Sequence, residues 1–414
     1  MEKQAIQAEG AVMSPATGDR LTIPTAPERA GKMSTTSAYY VAFVALGLSI
    51  AVLGPTLPGL AEQTQSHLSQ ISYLFTAHAL GYLLGSLQAG QIFDRVRGHP
   101  VMAAMLLVMA AALALIPLVP MLWLLIVVVL VLGMAGAILD VGANALLVWI
   151  HGREVGPYMN GLHAAFGVGA FLAPIVIAQL VLVSGGITWA YWALGLLMLP
   201  PFVWLVRLPS PTRKAVAKDG SGDEVNHLLL VLIVVFFALY VGAEAAFGGW
   251  IFTYTVMQGL GSKTVAAYLT SAYWGSFTLG RLLSIPIALH VRPRYILAAD
   301  LAGCVVSVLV ILLWPQSMVA IWGGTLGLGL SMASVFPVTI TLAERRMTIT
   351  GRVTSWFFVG ASLGGMSLPW LIGQLFEPVG PRATMFVILS ALVLATGVFT
   401  AIVKIDSTHG EPSR

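Results

Sequence analysis

A long apolar segment, MLWLLIVVVLVLGMAGAILDVGANALLV, occupies residues 121–148 and contains one charged residue, Asp140. About 20 mainly apolar residues in a helix cross the hydrocarbon core of a bilayer. Only a helix or a closed barrel satisfies every backbone polar group where water is absent. The segment therefore predicts a membrane-spanning helix with a carboxylate inside the bilayer, where a charge is costly enough to indicate function.

Similar apolar segments lie on both sides of residues 121–148 and account for most of the chain. The 414 residues are 58% hydrophobic and 9% charged, whereas a soluble domain averages about 25% charged residues. These features predict an all-α membrane protein with twelve transmembrane helices in two six-helix bundles. The predicted helices are residues 38–60, 68–93, 99–118, 121–148, 157–183, 188–207, 228–257, 263–290, 293–313, 317–343, 351–376 and 380–404.

Polar segments divide the chain into five predicted parts. Residues 1–37 have no apolar core and predict a disordered cytoplasmic tail rather than a signal peptide. Residues 208–227 contain Pro209, Pro211 and a mixture of Lys, Asp, Gly and Ser typical of a flexible linker. The two bundles are then residues 38–207 and 228–404, joined by a cytoplasmic linker at 208–227 and followed by a cytoplasmic tail at 405–414.

The basic residues predict the orientation of the helices. Of the 21 Lys and Arg residues, only Lys263 and Arg382 fall in loops on one side, and Arg281 lies inside a predicted helix. All the others fall on the side that holds both ends of the chain. Because Lys and Arg are enriched in cytoplasmic loops, both termini are predicted to be cytoplasmic, in a plasma membrane or a cell inner membrane.

The sequence contains a weak internal repeat at an offset of 195 residues. Parallel six-helix repeats bind solute near the midplane between them and rock about that site. The alternative is that glycines recur because they allow close helix packing; the common register favours a repeat. The offset pairs Gly47 with Gly242, Gly54 with Gly249, Gly85 with Gly280, Gly156 with Gly351, Gly169 with Gly364, Gly185 with Gly380, Pro174 with Pro369 and Gln179 with Gln374.

Four charged residues lie inside predicted helices and are candidates for function. Asp140 has Asn144 one turn further on along the same helix face. Arg281 and Asp300 lie at similar depths on adjacent helices, which favours a structural ion pair. A second interpretation pairs Arg281 with Asp140 across the inner mouth, in a contact that closes and opens as the halves rock.

Glu244, the fourth charge, has no basic partner at a matching depth, although His78 could face it. Low dielectric disfavours the charged form of a carboxylate without a partner. Glu244 is therefore a candidate proton carrier, or else a neutral acid bonded to a nearby carbonyl. His163 lies at a depth similar to that of Asp140 and Asn144, either in a polar cluster with them or as a satisfied interhelical histidine.

Three tryptophans, Trp250, Trp274 and Trp356, are candidate cavity aromatics because a ring face suits the apolar face of a sugar.

Motifs for other kinds of chemistry are absent from the sequence: a phosphate-binding Gly-x4-Gly-Lys-Ser/Thr loop, His-Glu-x-x-His and Gly-x-Ser-x-Gly. Cys304 is the one cysteine, which excludes a Cys-based metal cluster. The sequence thus predicts no enzyme, no metal site and no nucleic-acid partner.

The segment that joins the second and third predicted helices, Gly90-Gln-Ile-Phe-Asp94-Arg95-Val-Arg97-Gly98-His99, resembles the Gly-x-x-x-Asp-Arg-x-Gly-Arg signature of the major facilitator superfamily. In that family the signature couples a carboxylate and basic groups at the cytoplasmic gate, so Asp94 and Arg95 are candidate gate residues. The second Gly comes one place late, and Pro100 stands where a basic residue is common.

Four further stretches resemble the branch of that superfamily that contains the fucose/glucose permeases and sodium-dependent glucose transporter 1. They are Asp140-Val-Gly-Ala-Asn144, His163-Ala-Ala-Phe-Gly-Val-Gly169, Tyr240-Val-Gly-Ala-Glu244 with Gly249-Trp250, and Thr278-Leu-Gly-Arg281-Leu-Leu-Ser-Ile-Pro286. Fucose permeases also use an acid in the first helix, which this sequence lacks.

The resemblance implies monosaccharide uptake coupled to H+ or Na+, by a monomer with no other cofactor and with the bilayer as its surroundings. In this hypothesis Asp140 and Asn144 bind sugar hydroxyls or the ion, Glu244 carries a proton, and Trp250 or Trp274 stacks on the ring. One alternative is a proton antiporter that exports drugs or lipids. Another is a receptor without transport, which the intramembrane acids disfavour.

Overall fold

The computed structural model describes residues 26–211, 226–347 and 351–408, which form helices and no strand. Two short 3-10 helices, Ile116–Leu118 and Gly152–Glu154, cap the ends of longer ones. The α-helices are α1 (Ala26–Ile50), α2 (Leu53–Gln63), α3 (Leu68–Ile71), α4 (Tyr73–Arg95), α5 (Gly98–Leu115), α6 (Leu122–His151), α7 (Val155–Ser184), α8 (Thr188–Leu196), α9 (Leu199–Arg207), α10 (His227–Met257), α11 (Lys263–His290), α12 (Pro293–Leu313), α13 (Met318–Met332), α14 (Val335–Glu344), α15 (Gly351–Val379) and α16 (Ala383–Thr408).

Each predicted apolar segment coincides with a helix or with two consecutive helices. Within the described ranges, ten stretches of helix are long and apolar enough to cross a membrane. The predicted segments 68–93 and 263–290 are helical in α4 and α11 but are not among these ten. Both helices carry many Ser, Thr, Gln, His or charged residues, which lower their hydropathy.

Four predicted helices are broken in the structure. One break lies at Ser72 between α3 and α4; the other three lie at residues 51–52 between α1 and α2, at 197–198 between α8 and α9, and at 333–334 between α13 and α14. Each of these three precedes a proline by two to four residues: Pro55, Pro200 and Pro337. A proline ring cannot donate the backbone hydrogen bond and collides with the carbonyl four residues earlier. Each proline therefore starts a new helix.

The ends of the helical region differ from the prediction. Helix α1 begins at Ala26, so residues 26–37 are helical and not part of a disordered tail. This stretch contains Ala, Glu, Arg and Lys, which favour a helix without needing lipid contact. Helix α16 extends to Thr408, past the predicted boundary at 404. The remaining tail residues and most of the predicted linker lie outside the described residues.

The paired glycines make equivalent contacts in the two halves. Gly47 of α1 lies against the backbone of α7, and Gly169 of α7 lies against the backbone of α1. Their counterparts, Gly242 of α10 and Gly364 of α15, pack against each other in the same way. In each position a Cβ atom would collide with backbone. The glycines are therefore required for the close approach of these helix pairs.

The helix contacts between the two halves include α2 with α10 and α11, α3 with α15, α4 with α15 and α7 with α11. Several hydrogen bonds link the halves at the end of the bundle where α2 leads into α3, called here the α2–α3 end. Gln179 donates to the Tyr268 hydroxyl at 2.5 Å and Gln374 donates to the Ser69 carbonyl at 2.7 Å. The backbone N–H of Leu68 donates to the Glu377 carboxylate at 3.1 Å. These contacts close the α2–α3 end.

Candidate functional site

A cavity of about 340 Å³ lies between the two halves. Helices α1, α2, α4, α6 and α7 supply its walls from the first half, and α10, α11 and α15 supply them from the second. An adjoining chamber of about 260 Å³ extends the cavity between α4, α10, α14 and α15. The polar or charged lining residues of the cavity are His78, Tyr82, Asp140, His163, Glu244 and Arg281.

Asp140 accepts hydrogen bonds from two neutral donors. The Tyr82 hydroxyl of α4 donates to its Oδ2 atom, and the Asn144 Nδ2 group donates to its Oδ1 atom at 2.8 Å. Asn144 comes from the next turn of the same helix, as predicted. Tyr82 reaches Asp140 because Gly81 and Gly133 allow α4 and α6 to touch backbone to backbone. Both carboxylate oxygens are therefore hydrogen-bonded.

Glu244 lies on the opposite wall of the cavity, beside two tyrosines. The Tyr240 hydroxyl oxygen is 2.6 Å from Glu244 Oε2 and 2.7 Å from the carbonyl oxygen of Met332. The Tyr273 hydroxyl donates to the main-chain carbonyl of Glu244 at 3.3 Å. Met332 is the last residue of α13, so its carbonyl faces the break before α14 and has no partner within the helix.

Arg281 also contacts this break, and the predicted Arg281–Asp300 ion pair is not formed. The guanidinium carbon lies 4.8 Å above the centre of the Phe277 ring, and Nε donates to the Ala333 carbonyl at 3.4 Å. Asp300 instead accepts a hydrogen bond from the Ser334 hydroxyl. The break between α13 and α14 supplies a free carbonyl and a hydroxyl, and each charge binds there rather than to the other.

Arg281 lines the cavity together with Glu244 and His163. His163 makes an edge contact with Phe43, with ring centroids 6.0 Å apart. Arg281 and Asp140 lie on different walls of the same cavity and form no ion pair here. The predicted contact between them across the inner mouth remains a prediction for another conformation.

Of the three candidate tryptophans, only Trp274 lines the cavity. Its indole N–H has no acceptor among the described residues. Trp250 is fully buried outside the lining, donates to the Pro369 carbonyl at 2.9 Å and stacks on Phe376. Six positions from Glu244 correspond to about 240° around a helix, so Trp250 occupies a different face. Trp356 is 47% exposed and also lies outside the lining.

The two candidate gate residues of the signature, Asp94 and Arg95, are exposed at the last turn of α4. The chain is extended at Val96 and turns directly into α5 at Gly98. Gly98 is buried against the side chain of Leu146 in α6. The signature thus forms the tight connection between α4 and α5, and its role as a gate remains a prediction.

Sequence reasoning did not assign roles to Tyr82 or Tyr240, although both bind the cavity acids. A signal existed for Tyr240, because it precedes Glu244 by four residues and shares its helix face. None existed for Tyr82, whose contact with Asp140 depends on the register between two helices. The sequence predicts that His78 could face Glu244, and both residues line the cavity.

A multi-pass helical chain with a polar cavity between two similar halves has the architecture of a membrane transporter. The family model described as Major Facilitator Superfamily matches residues 39–369. The chain belongs to the major facilitator superfamily. It is therefore a transporter and not an enzyme, and the family resemblance seen in its sequence is confirmed.

Two similar proteins illustrate the relationship. Sodium-dependent glucose transporter 1A of Mus musculus is 32% identical over 401 residues, which cover 88% of this chain and 93% of that protein. Sodium-dependent glucose transporter 1 of Homo sapiens is 29% identical over 372 residues, with coverage of 80% and 72%. The predicted resemblance to the branch that contains these transporters is confirmed.

Solved structures share the fold at lower sequence identity. A D-xylose–proton symporter has a TM-score of 0.73 at 14% identity, covering 88% of this chain and 97% of its own. The nucleoside transporter NupG has a TM-score of 0.68 at 14% identity, covering 90% of this chain and 98% of its own.

Proposed function

We propose that this protein is a symporter that takes up a monosaccharide, or a similar small polar solute, together with H+ or Na+ by alternating access. The observation that carries the proposal is the cavity between the halves, where two carboxylates on opposite walls are each within hydrogen-bond distance of a tyrosine. Buried acids are costly in a membrane and persist where they bind solute or ions. The names of the relatives support a sugar as the solute.

The proposed roles follow from the lining. Asp140, with Asn144 behind it, binds sugar hydroxyls or the ion, and Glu244 is the candidate proton carrier. Trp274 is the aromatic residue of the lining that stacks on the sugar. An aromatic ring beside a few hydrogen-bonding groups suits a sugar, which has both apolar and polar faces. His163 completes the polar wall.

Twelve spans in two six-helix bundles fit this proposal. Helices α4 and α11 contain 23 and 28 residues, long enough to span a bilayer. Their low hydropathy has a functional explanation, because His78, Tyr82 and Arg281 on these two helices line the cavity. With the basic residues concentrated on one side, both termini would be cytoplasmic. A monomer suffices, since the cavity lies between two halves of one chain.

Uptake into proteoliposomes tests the proposal. Labelled glucose, fucose and galactose are offered under separate proton and sodium gradients, with the wild type, Asp140→Asn and Glu244→Gln. Gradient-driven accumulation should be lost in at least one of these variants. Asp300→Asn removes an intramembrane acid outside the cavity and should retain accumulation. If no sugar accumulates under either gradient while a lipophilic cation is exported, the sugar proposal is wrong and an antiporter takes its place.

A further inference from the structure

The Tyr240 hydroxyl is placed between two oxygen atoms that both accept hydrogen bonds. Glu244 Oε2 lies 2.6 Å away on one side, and the Met332 carbonyl oxygen lies 2.7 Å away on the other. Tyr240 is fully buried, so water does not supply a hydrogen. A tyrosine hydroxyl has a single hydrogen to donate, and a carbonyl has none. One of the two short contacts therefore needs a hydrogen from elsewhere.

We infer that Glu244 holds a proton in this conformation and donates it to Tyr240, which in turn donates its own hydrogen to the carbonyl of Met332. A protonated carboxyl group has one O–H donor, and a tyrosine oxygen can accept it while donating. Both contacts are then hydrogen bonds. With an ionised Glu244, one buried pair of acceptors would face each other with no hydrogen between them, which is unfavourable.

Asp140, unlike Glu244, has a separate hydrogen-bond donor for each carboxylate oxygen. Its two oxygens each receive a hydrogen, one from Tyr82 and one from Asn144. Among the described residues, the Tyr82 hydroxyl has Asp140 as its acceptor, so its hydrogen is not shared with a second oxygen as at Tyr240. This arrangement satisfies a carboxylate without an added proton. The cavity thus separates the acids into an ionised one on α6 and a protonated one on α10.

Several titratable groups from neighbouring helices face Glu244 and bear on its proton. Arg281 of α11 lines the same cavity as Glu244. The hydrogen count around Tyr240 is the observation that assigns the proton to Glu244. The other groups near Glu244 are His78 of α4, His163 of α7, Tyr273 of α11 and Cys304 of α12.

Loss of the proton changes the contacts at the helix break. When Glu244 releases its proton to water entering the cavity, the Tyr240 hydrogen turns toward the new carboxylate. The Met332 carbonyl then loses its donor at the point where α13 ends. The neighbouring Ala333 carbonyl accepts a hydrogen bond from Arg281. Before the proton is lost, both carbonyls at the break, those of Met332 and Ala333, are therefore hydrogen-bonded to Tyr240 and Arg281. Tyr240 is thus a positioning residue that links the protonation of Glu244 to the junction of α13 and α14.

Infrared difference spectroscopy of the full protein in lipid tests this inference without any solute. The wild type minus Glu244→Gln should show the C=O stretch of a protonated carboxylic acid near neutral pH. In Tyr240→Phe this band should move to higher wavenumber, because the acid loses its acceptor. Tyr273→Phe is the matched control and should leave the band in place, since the Tyr273 hydroxyl lies within hydrogen-bond distance of the main-chain carbonyl of Glu244 and of the Met332 sulfur but not of the Glu244 carboxyl group.

Two results would overturn the inference. One is the absence of a carboxylic acid band from the Glu244 difference spectrum, and the other is a band that Tyr240→Phe does not move. If Tyr240→Phe fails to fold, the spectra of Glu244→Gln and Asp140→Asn still show which acid is protonated, because only Glu244→Gln should remove the band. The inference rests on the proposed function only for the use of the proton. A band without sugar uptake would disprove the symport proposal alone, and uptake without a band would disprove this inference alone.

Discussion

Gln179 and Gln374, which are 195 positions apart, each donate a hydrogen bond to the opposite half of the chain at the same end of the bundle. Gln179 of α7 binds Tyr268 of α11, and Gln374 of α15 binds Ser69 of α3. The repeat therefore extends from glycine packing to the contacts between the halves. An alternating-access cycle has to break both bonds to open the α2–α3 end.

The double variant Gln179→Ala/Gln374→Ala should favour the conformation that is open at the α2–α3 end. Each hydrogen bond contributes about 1 kcal/mol, so loss of both should raise the ratio of open to closed molecules about thirtyfold. Cys304→Ser provides a cysteine-free background, in which Phe75→Cys places a thiol in the cavity wall. Labelling from the α2–α3 side with a membrane-impermeant reagent measures the opening.

Gln88→Ala is the control for this experiment, because Gln88 bonds only to a carbonyl of its own helix. It should label at the rate of the parent protein. Equal labelling of the double variant and the control would show that the two glutamines do not hold the halves together.

The glycine pairs make a prediction about stability. Gly169→Ala and Gly364→Ala each place a methyl group against the backbone of the facing helix. Overpacking of this kind costs about 1–3 kcal/mol, so both variants should lower the thermal unfolding midpoint in detergent. Gly397→Ala in α16 adds a methyl group to open space and should leave the midpoint unchanged or raise it. Similar midpoints for all three variants would contradict the packing role.

Tyr82→Phe should weaken solute uptake through its effect on Asp140. The substitution removes one of the two hydrogen bonds to the carboxylate and keeps the ring in the cavity wall. Hydrogen bonds to charged groups contribute about 1.5–3 kcal/mol, so kcat/KM for uptake should fall by about tenfold or more. Tyr191→Phe removes a buried hydroxyl bonded to Thr56, outside the cavity lining, and serves as the control. Equal kinetics for the two variants would exclude a role for Tyr82.

The two tryptophans should separate binding from packing. Trp274→Phe reduces the aromatic surface that the solute can contact and should raise the KM for uptake several-fold. Trp250→Phe loses the hydrogen bond to the Pro369 carbonyl in the packed region between α10 and α15, and should lower the unfolding midpoint with little change in KM. An increase in KM for Trp250→Phe alone would reverse these assignments. Initial uptake rates and thermal unfolding curves supply both measurements.

The helices were predictable because an apolar segment of sufficient length has few alternatives in a bilayer. The acids Asp140 and Glu244 were also predictable, since a charge in such a segment is conspicuous. Depth along a helix did not predict contacts, however. Arg281 and Asp300 lie at similar depths but bind the break near Ser334, whose free polar groups arise from Pro337. Helix faces and the register between helices are properties of packing.

The last prediction concerns Asp140 and Arg281, which form no ion pair in this structure. Asp140 and Arg281 lie on different walls of the cavity, and closure of the end opposite to α2–α3 would bring the walls together. In the Cys304→Ser background, Asp140→Cys/Arg281→Cys should therefore form a disulfide more readily when Gln179→Ala/Gln374→Ala opens the α2–α3 end. The disulfide requires Cα atoms within about 7 Å, so its yield reports closure directly.

Arg281→Cys combined with Asp300→Cys is the matched control, because α11 and α12 belong to the same half and should not change their separation. Its cross-linking yield should be the same with and without the glutamine substitutions. An increase in yield for the control, or none for the Asp140 pair, would show that Arg281 does not approach Asp140 when the halves rock. Arg281 would then act only within its own half, at the break between α13 and α14.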